Sequence, residues 1–457
     1  MNLLVKDKCF YEKMAVIAIP ISLQSMITIG VNMTDTVMVG MLGETSLSAT
    51  ALANQFVNIY QICCMGIAMG ASVLTSRFWG MQDITSLKKT ITLMLRLCIV
   101  LAVLFMLPTI LIPQLLMRMY TNDSVVIAQG VQYFKWMVYC YFLQGMTLTC
   151  TIVLRSVGQV NFPLFTSIGS FFVNILFNYM FIFGKLGVPR MEVEGAGVGT
   201  LIARVFEFSL ICGYFLFVDR KIGYRLKDLR MKCNSLIKDY VSISIPVFVS
   251  DSLLALGTSA VAMVMGRIGT GFVSANSITV VTQQLTTVII QGICHASCIM
   301  TGHTLGHGER EKAQQQAWTF LILGLVVGIL GGGLIKVLSR PIIGLYNITP
   351  ETAQIAGELM DAIAFIVIFQ SMNSILTKGV LRGGGDTKFL MVADIIFLWA
   401  ASLPLGILAG LVWHLDAFWI YVFLKIDQIC KSIWCVFRLR SGKWIKTFSK
   451  EKMNHAQ

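Results

Sequence analysis

The chain repeats itself. Ile19-Pro20 recurs as Ile245-Pro246, Gly40 as Gly266 and Gly43 as Gly269, each 226 positions later. At the same offset Ser48-Ala49 returns as Ser274-Ala275, Gly66 as Gly292, Thr75 as Thr301 and Gly80 as Gly306. After one inserted residue, Leu154-Arg155-x-x-Gly158 becomes Leu381-Arg382-x-x-Gly385. Both copies are strongly apolar. Duplicated membrane domains of this kind build a central site that opens alternately to either side.

Composition fixes the solvent. A 457-residue chain that is 56% hydrophobic and 13% charged, with mean hydropathy +0.75, is excluded from the ordinary soluble class. A spanning helix needs about 20 mostly apolar residues. Twelve such stretches, spans 1 to 12, stand at roughly 14–39, 50–76, 90–114, 129–153, 161–184, 195–218, 238–265, 274–301, 315–338, 354–379, 388–412 and 416–437. Long helix-period runs without strand-like alternation specify a helical bundle and not a barrel. Six spans per repeat, an even number, give both repeats the same orientation. The expected fold is therefore an all-α integral membrane protein of two six-helix lobes, related by a pseudo-twofold axis along the membrane normal. Residues 1–218 form the N-lobe, 219–237 a basic cytoplasmic linker and 238–457 the C-lobe.

Placing the N-terminus inside puts most of the 36 Lys and Arg in cytoplasmic segments, notably Arg220–Lys238 and the tail Arg438–Lys452. The positive-inside rule then orients a multi-pass protein of the cell membrane with both termini cytoplasmic. The net charge of +13 meets anionic lipid headgroups, with no nucleic acid as partner. The first stretch has no cleavage site after a short core and reads as a retained helix. Twelve cysteines lack metal-finger spacing and behave as buried hydrophobes, so no disulfide, metal or cofactor is expected. There is no G-x-x-x-x-G-K-[ST] loop, no soluble domain large enough for ATP and no catalytic constellation. The chain is not an enzyme. An ion gradient or a separate subunit must supply its energy, and a monomer is expected.

Polar residues inside the spans carry the functional signal, since each ionisable group there costs about 2.5–3.5 kcal/mol on insertion scales. Asp35 lies well inside span 1 with Asn32 one turn away on the same face. Its repeat mate is Val261, so the duplicated fold does not require the carboxylate. Span 2 carries Asn54, Asn58 and Gln61 on one face; span 8 answers with Gln284 and Thr287, extended by Asn276 and Gln291. Span 4 carries Gln144, Thr147 and Thr151, and span 10 carries Gln370, Asn373 and Thr377 on the corresponding face. Asn174 and Asn178 lie four apart in span 5. Single residues of this kind are read equally well as interhelical hydrogen bonds, but matched stripes in both halves point to a water-accessible cavity. Asp251 and Asp394 are weaker candidates. Arg204 with Glu207, and Asp427 with Lys431, are spaced to pair within their own helices.

In order and duplication these residues resemble the multidrug and toxic compound extrusion (MATE) family over nearly the whole chain. The resemblance rests on Pro20…Asp35…Gly40-x-x-Gly43, Gly66…Gly70-Ala71…Arg77…Gly80, Leu154-Arg155-x-x-Gly158 and Gly195-Ala196. Leu381-Arg382-Gly383-x-Gly385-Asp386-Thr387, followed by Trp399 and Pro404-Leu405, completes it. It implies a secondary antiporter that exports organic, often cationic, compounds in exchange for H⁺ or Na⁺. It also implies coupling roles for Asp35, Asn174, Asn178 and Thr200. Position 178 departs from the family pattern, being Asn where similar prokaryotic members have Asp.

Burial raises a carboxylic acid's pKa from about 3.9 by as much as about 3–5 units, which lets a buried Asp exchange protons near neutral pH. A proton that neutralises Asp35 would weaken cation binding, and rocking of the lobes would alternate access. H⁺ is therefore the expected coupling ion, ahead of Na⁺. The alternative is a lipid-linked oligosaccharide flippase of the same superfamily. Its phosphates call for basic residues in the cavity, which the interiors of spans 1, 2, 7 and 8 lack.

Overall fold

Short polar signals start and stop the helices. The Asp83 carboxylate accepts from Ser86 N–H at 3.0 Å and Asp123 from Val125 N–H at 2.9 Å, each satisfying a free N-terminal donor. Thr349 caps a helix whose first residue is Pro350. Gly184 takes φ +66 at a C-terminus, where a Cβ would stand 2.8 Å from Arg190 N.

The computed structural model describes residues 4–185, 187–344 and 348–447, so the part of the basic tail beyond Thr447 lies outside the described residues. The helices are α1 (Lys8–Gly40), α2 (Glu44–Gly80), α3 (Ile84–Leu111), α4 (Ser124–Ser156), α5 (Asn161–Phe183) and α6 (Glu192–Val218). After a short turn at Leu226–Arg230 come α7 (Asn234–Ile268), α8 (Thr270–Gly306), α9 (Arg310–Ile343), α10 (Pro350–Leu381) and α11 (Thr387–Val412). The last described helices are α12 (Ala417–Leu424) and α13 (Ile426–Arg440). Among the described residues there is no strand.

Helices α1 to α11 are long and apolar enough to cross a membrane. The expected span 416–437 folds as α12 and α13, with a break at Lys425 (φ −123, ψ 15). Lys425, Asp427 and Lys431 crowd three ionisable side chains into one stretch, and all three line a cavity. Further irregularities are wide π-helical turns at Tyr214–Val218 in α6, Ile375–Leu381 in α10, and Ile395–Ser402 and Leu408–Val412 in α11. On α3, Val100, Leu104, Leu107 and Leu111 are exposed in one stripe, a surface that hydrocarbon accepts and water does not. The chain is a multi-pass membrane protein.

Packing divides it into two compact units. One contains Leu23–Thr75 and Asp83–Tyr240. Its core includes Tyr60, Met117, Phe134, Tyr141 and Ile182. The absent side chain of Gly145 leaves room for the Tyr60 hydroxyl, which donates to the Tyr141 carbonyl. The other unit holds the described chain up to Ser22, Ser76–Gln82 and everything described from Val241 on. Its core joins Ala275, Ile335, Leu359, Met360, Ile363 and Val367. Gly328 lets α9 approach α10 so closely that a Cβ would stand 2.8 Å from Ile368 Cα.

The repeat is a property of sequence, and packing draws its line elsewhere, grouping the ends of α1 and α2 with the second copy. One repeated pair explains itself there. A Cβ on Gly306 would stand 2.9 Å from Gly80 Cα, and one on Gly80 would stand 2.9 Å from His303 Cα. Glycine recurs at these two positions because the helices cross there at backbone contact.

Candidate functional site

In the unit containing Leu23–Thr75, a cavity of about 380 Å³ opens among α1, α2, α4, α5 and α6. Asn32, Asp35, Asn54, Asn58, Gln61, Gln144, Asn174 and Thr200 all line it. Asp35 is held by Asn178, whose Nδ2 donates to Oδ1 at 2.6 Å and also to Asn174 Oδ1 at 3.3 Å. Both asparagines are buried. They sit four residues apart on α5, which puts them on one face of the helix. With its Nδ2 committed, Asn178 turns Oδ1 onto Gly199, where it has no partner. Beside the Arg204–Glu207 ion pair, the cavity thus presents the Asp35 carboxylate among amides, suited to hold a proton or a cation. The hydrogen bond from Asn178 is strongest while that carboxylate is ionised.

Two features of this cavity escape sequence reasoning. Tyr133, buried on α4, donates to Asn54 Oδ1 at 3.2 Å, a contact between helices that leaves no periodic trace. Arg204 and Glu207 do pair within α6, at 2.8 Å, yet both also line the cavity.

The repeated arginines hold the first helix of each copy. Arg155 donates to Gln24 Oε1 on α1, and Gln24 in turn donates to Ser167 Oγ at 2.8 Å. Arg382 donates to both oxygens of Asp251 on α7, at 3.0 and 3.4 Å. Asp251 is therefore engaged by a guanidinium.

The other unit has a cavity of about 210 Å³, and Gln370, Asn373, Thr377 and Asp394 line it. Lys431 Nζ lies 3.0 Å from Asp394 Oδ1 and 3.0 Å from Asp427 Oδ2. The expected pair within the helix is thus part of a triad, with Ser250 donating to Asp394 as well. Asn373 donates to Gln428 Oε1 and Gln283 donates to Gln370 Oε1, both at 2.7 Å. Gln284 and Thr287 line neither cavity; Gln284 is exposed. Basic residues, which spans 1, 2, 7 and 8 lack, enter this cavity from the end of α10 and the residue after it, Lys378 and Arg382, and from the broken last span, Lys425 and Lys431. The signal was available, since a lysine inside an apolar stretch is as costly as an aspartate.

Comparison with known proteins adds one family, two relatives and two solved structures. The model of the MatE family matches residues 20–180 and 246–429. The probable multidrug resistance protein NorM of Thermotoga maritima is 24% identical over 436 residues, 94% of this chain and 92% of that protein. The uncharacterized transporter YisQ of Bacillus subtilis is 25% identical over 423 residues, 90% of each. Among solved structures, a variant of the Vibrio cholerae MATE transporter VcmN superposes with TM-score 0.86 at 16% identity, covering 95% of this chain and 97% of that one. A MOP superfamily transporter from Pyrococcus furiosus gives 0.83 at 19%, covering 95% and 96%.

Proposed function

The chain belongs to the MatE family, and from that premise we propose that it is a secondary antiporter exporting small organic, often cationic, compounds in exchange for protons. Family members are transporters and not enzymes. The relative named for multidrug resistance covers almost the whole chain and supports drug-like substrates. The single observation that carries the reading is Asp35, a carboxylate in an amide-lined cavity inside a membrane helix, held by Asn178 at 2.6 Å. While ionised it attracts an organic cation. Once protonated it loses both the charge and the strength of the Asn178 bond, and the cation leaves. Asn174 orients Asn178, Thr200 adds a hydroxyl to the wall, and Asn32, Asn54, Asn58, Gln61 and Gln144 give the cavity its polar lining. The two sequence repeats rock against each other to alternate access, both termini face the cytoplasm and the protein resides in the plasma membrane.

Asp35→Asn tests this, because it keeps the side chain's shape and an oxygen that accepts from Asn178 while removing the charge and the titratable proton. The variant should fold with an unchanged melting temperature in detergent and lose export of an organic cation such as ethidium. Export at the wild-type rate would sink the role of Asp35.

A further inference from the structure

The cavity of the second unit carries a charge imbalance that its own residues do not resolve. Lys378, Arg382, Lys425 and Lys431 line it against two carboxylates, Asp394 and Asp427. Lys431 engages both carboxylates at 3.0 Å. Asp251 engages Arg382 at 3.0 Å. Lys378 and Lys425 remain, and neither has a hydrogen bond or ion pair among the described residues. Asp427 acts on Lys425 and Asp251 on Lys378 only at longer range, and four basic groups against the three carboxylates Asp251, Asp394 and Asp427 leave one positive charge in excess, an arrangement suited to a negative partner that comes and goes.

The backbone is irregular around the same cavity. The wide turn Ile375–Leu381 of α10 carries Thr377 and Lys378. The first wide turn of α11 begins directly after Asp394. The break at Lys425 opens the 15-residue α13, whose first residues Asp427 and Gln428 reach the lining. In the first repeat, α4 and α5, the counterparts of α10 and α11, run as uninterrupted α-helix. Interrupted helices at membrane depth line binding sites, and a helix N-terminus favours negative charge.

We propose that this cavity is an oxyanion site, receiving the carboxylate or phosphate group of a small organic molecule between Lys425 and Lys378. Gln291 and Gln370 supply further N–H donors on the wall. The site widens the substrate class from plain cations to zwitterions and organic anions. Only the word substrate rests on the transporter reading; binding itself does not depend on Asp35.

The test is calorimetric titration of the full-length protein in phosphatidylcholine nanodiscs with benzoate and with inorganic phosphate. At least one should bind saturably, one per chain. Lys425→Gln should weaken that binding at least tenfold, Lys425→Arg should largely retain it, and Asp35→Asn should leave it unchanged. If Lys425→Gln does not fold, Lys378→Gln carries the same expectation. Repeating the titration with phosphatidylglycerol nanodiscs separates two sources of the oxyanion. Competition there marks a lipid headgroup as an occupant, and unchanged binding marks a free small molecule. Absence of saturable binding to the wild type in phosphatidylcholine, or equal binding by wild type and Lys425→Gln, overturns the proposal. Because no gradient is applied, that failure is distinct from loss of Asp35-dependent export.

Discussion

Asn178 has two jobs on its Nδ2 and none on its Oδ1. The amide hydrogens serve Asp35 and Asn174, which forces the carbonyl end against α6. Glycine at 199 is what makes room: a Cβ there would collide with Asn178 Oδ1 and stand 2.9 Å from Asn178 N. Gly199→Ala should therefore cost about 1–3 kcal/mol, the usual range for overpacking a buried contact. It should also weaken export more than a stability loss of that size explains, because Asn178 is pushed off Asp35. A thermal melt beside a drug-export assay would show this; wild-type values in both would mean α5 and α6 are looser than their geometry indicates. Asp35 and the asparagine pair were legible in the sequence, because an acid in an apolar helix is costly and an i, i+4 pair shares a face. The role of Gly199 was not legible. It depends on how closely two helices approach, and a single glycine carries no record of its neighbour.

The connector between the repeats reads as a basic linker, but it is fastened along α3. Lys88 Nζ donates to Gly223 O at 2.6 Å and to Asp228 at 3.0 Å, Thr92 Oγ1 donates to Asp228 O at 3.1 Å, and Arg96 donates to Leu229 O at 2.6 Å. Partial burial pushes the Asp228 carboxyl up. The Arg225 N–H at 3.0 Å and the Lys88 ammonium outweigh that and hold it below the usual carboxylate range. A depressed folded-state pKa stabilises the fold above the unfolded value of about 3.9, and that stability fades as pH falls through the lower folded value. Asp228→Asn should cost about 1 kcal/mol at pH 7 and flatten the loss of melting temperature between pH 5 and pH 3. An unchanged acid slope would show that the clamp contributes nothing. At this scale the sequence specified α1 to α11 by apolar length but missed the break in the last span. Periodicity registers an apolar run and is blind to Lys425, whose backbone leaves the helix beside a charged cavity.

Across the whole molecule the two repeats differ in charge where they should most resemble each other. Val261 stands where the first copy has Asp35, so a single lobe carries the acid on which the proposed exchange depends. The choice of ion follows from what surrounds it. A hard cation wants several oxygen ligands and more than one full negative charge. Here the neighbour is a neutral asparagine that offers Asp35 its N–H and points its oxygen away. A proton needs only one carboxylate, and its arrival breaks nothing but a charge-assisted hydrogen bond. Export in proteoliposomes should therefore run on an imposed pH gradient without sodium and be weak on a sodium gradient at equal pH. Asn178→Asp adds the missing charge beside Asp35 and should strengthen the sodium response while shifting the pH at which export is half-maximal. Transport confined to the sodium gradient in the wild type would overturn proton coupling and assign the cavity around Asp35 to the metal ion.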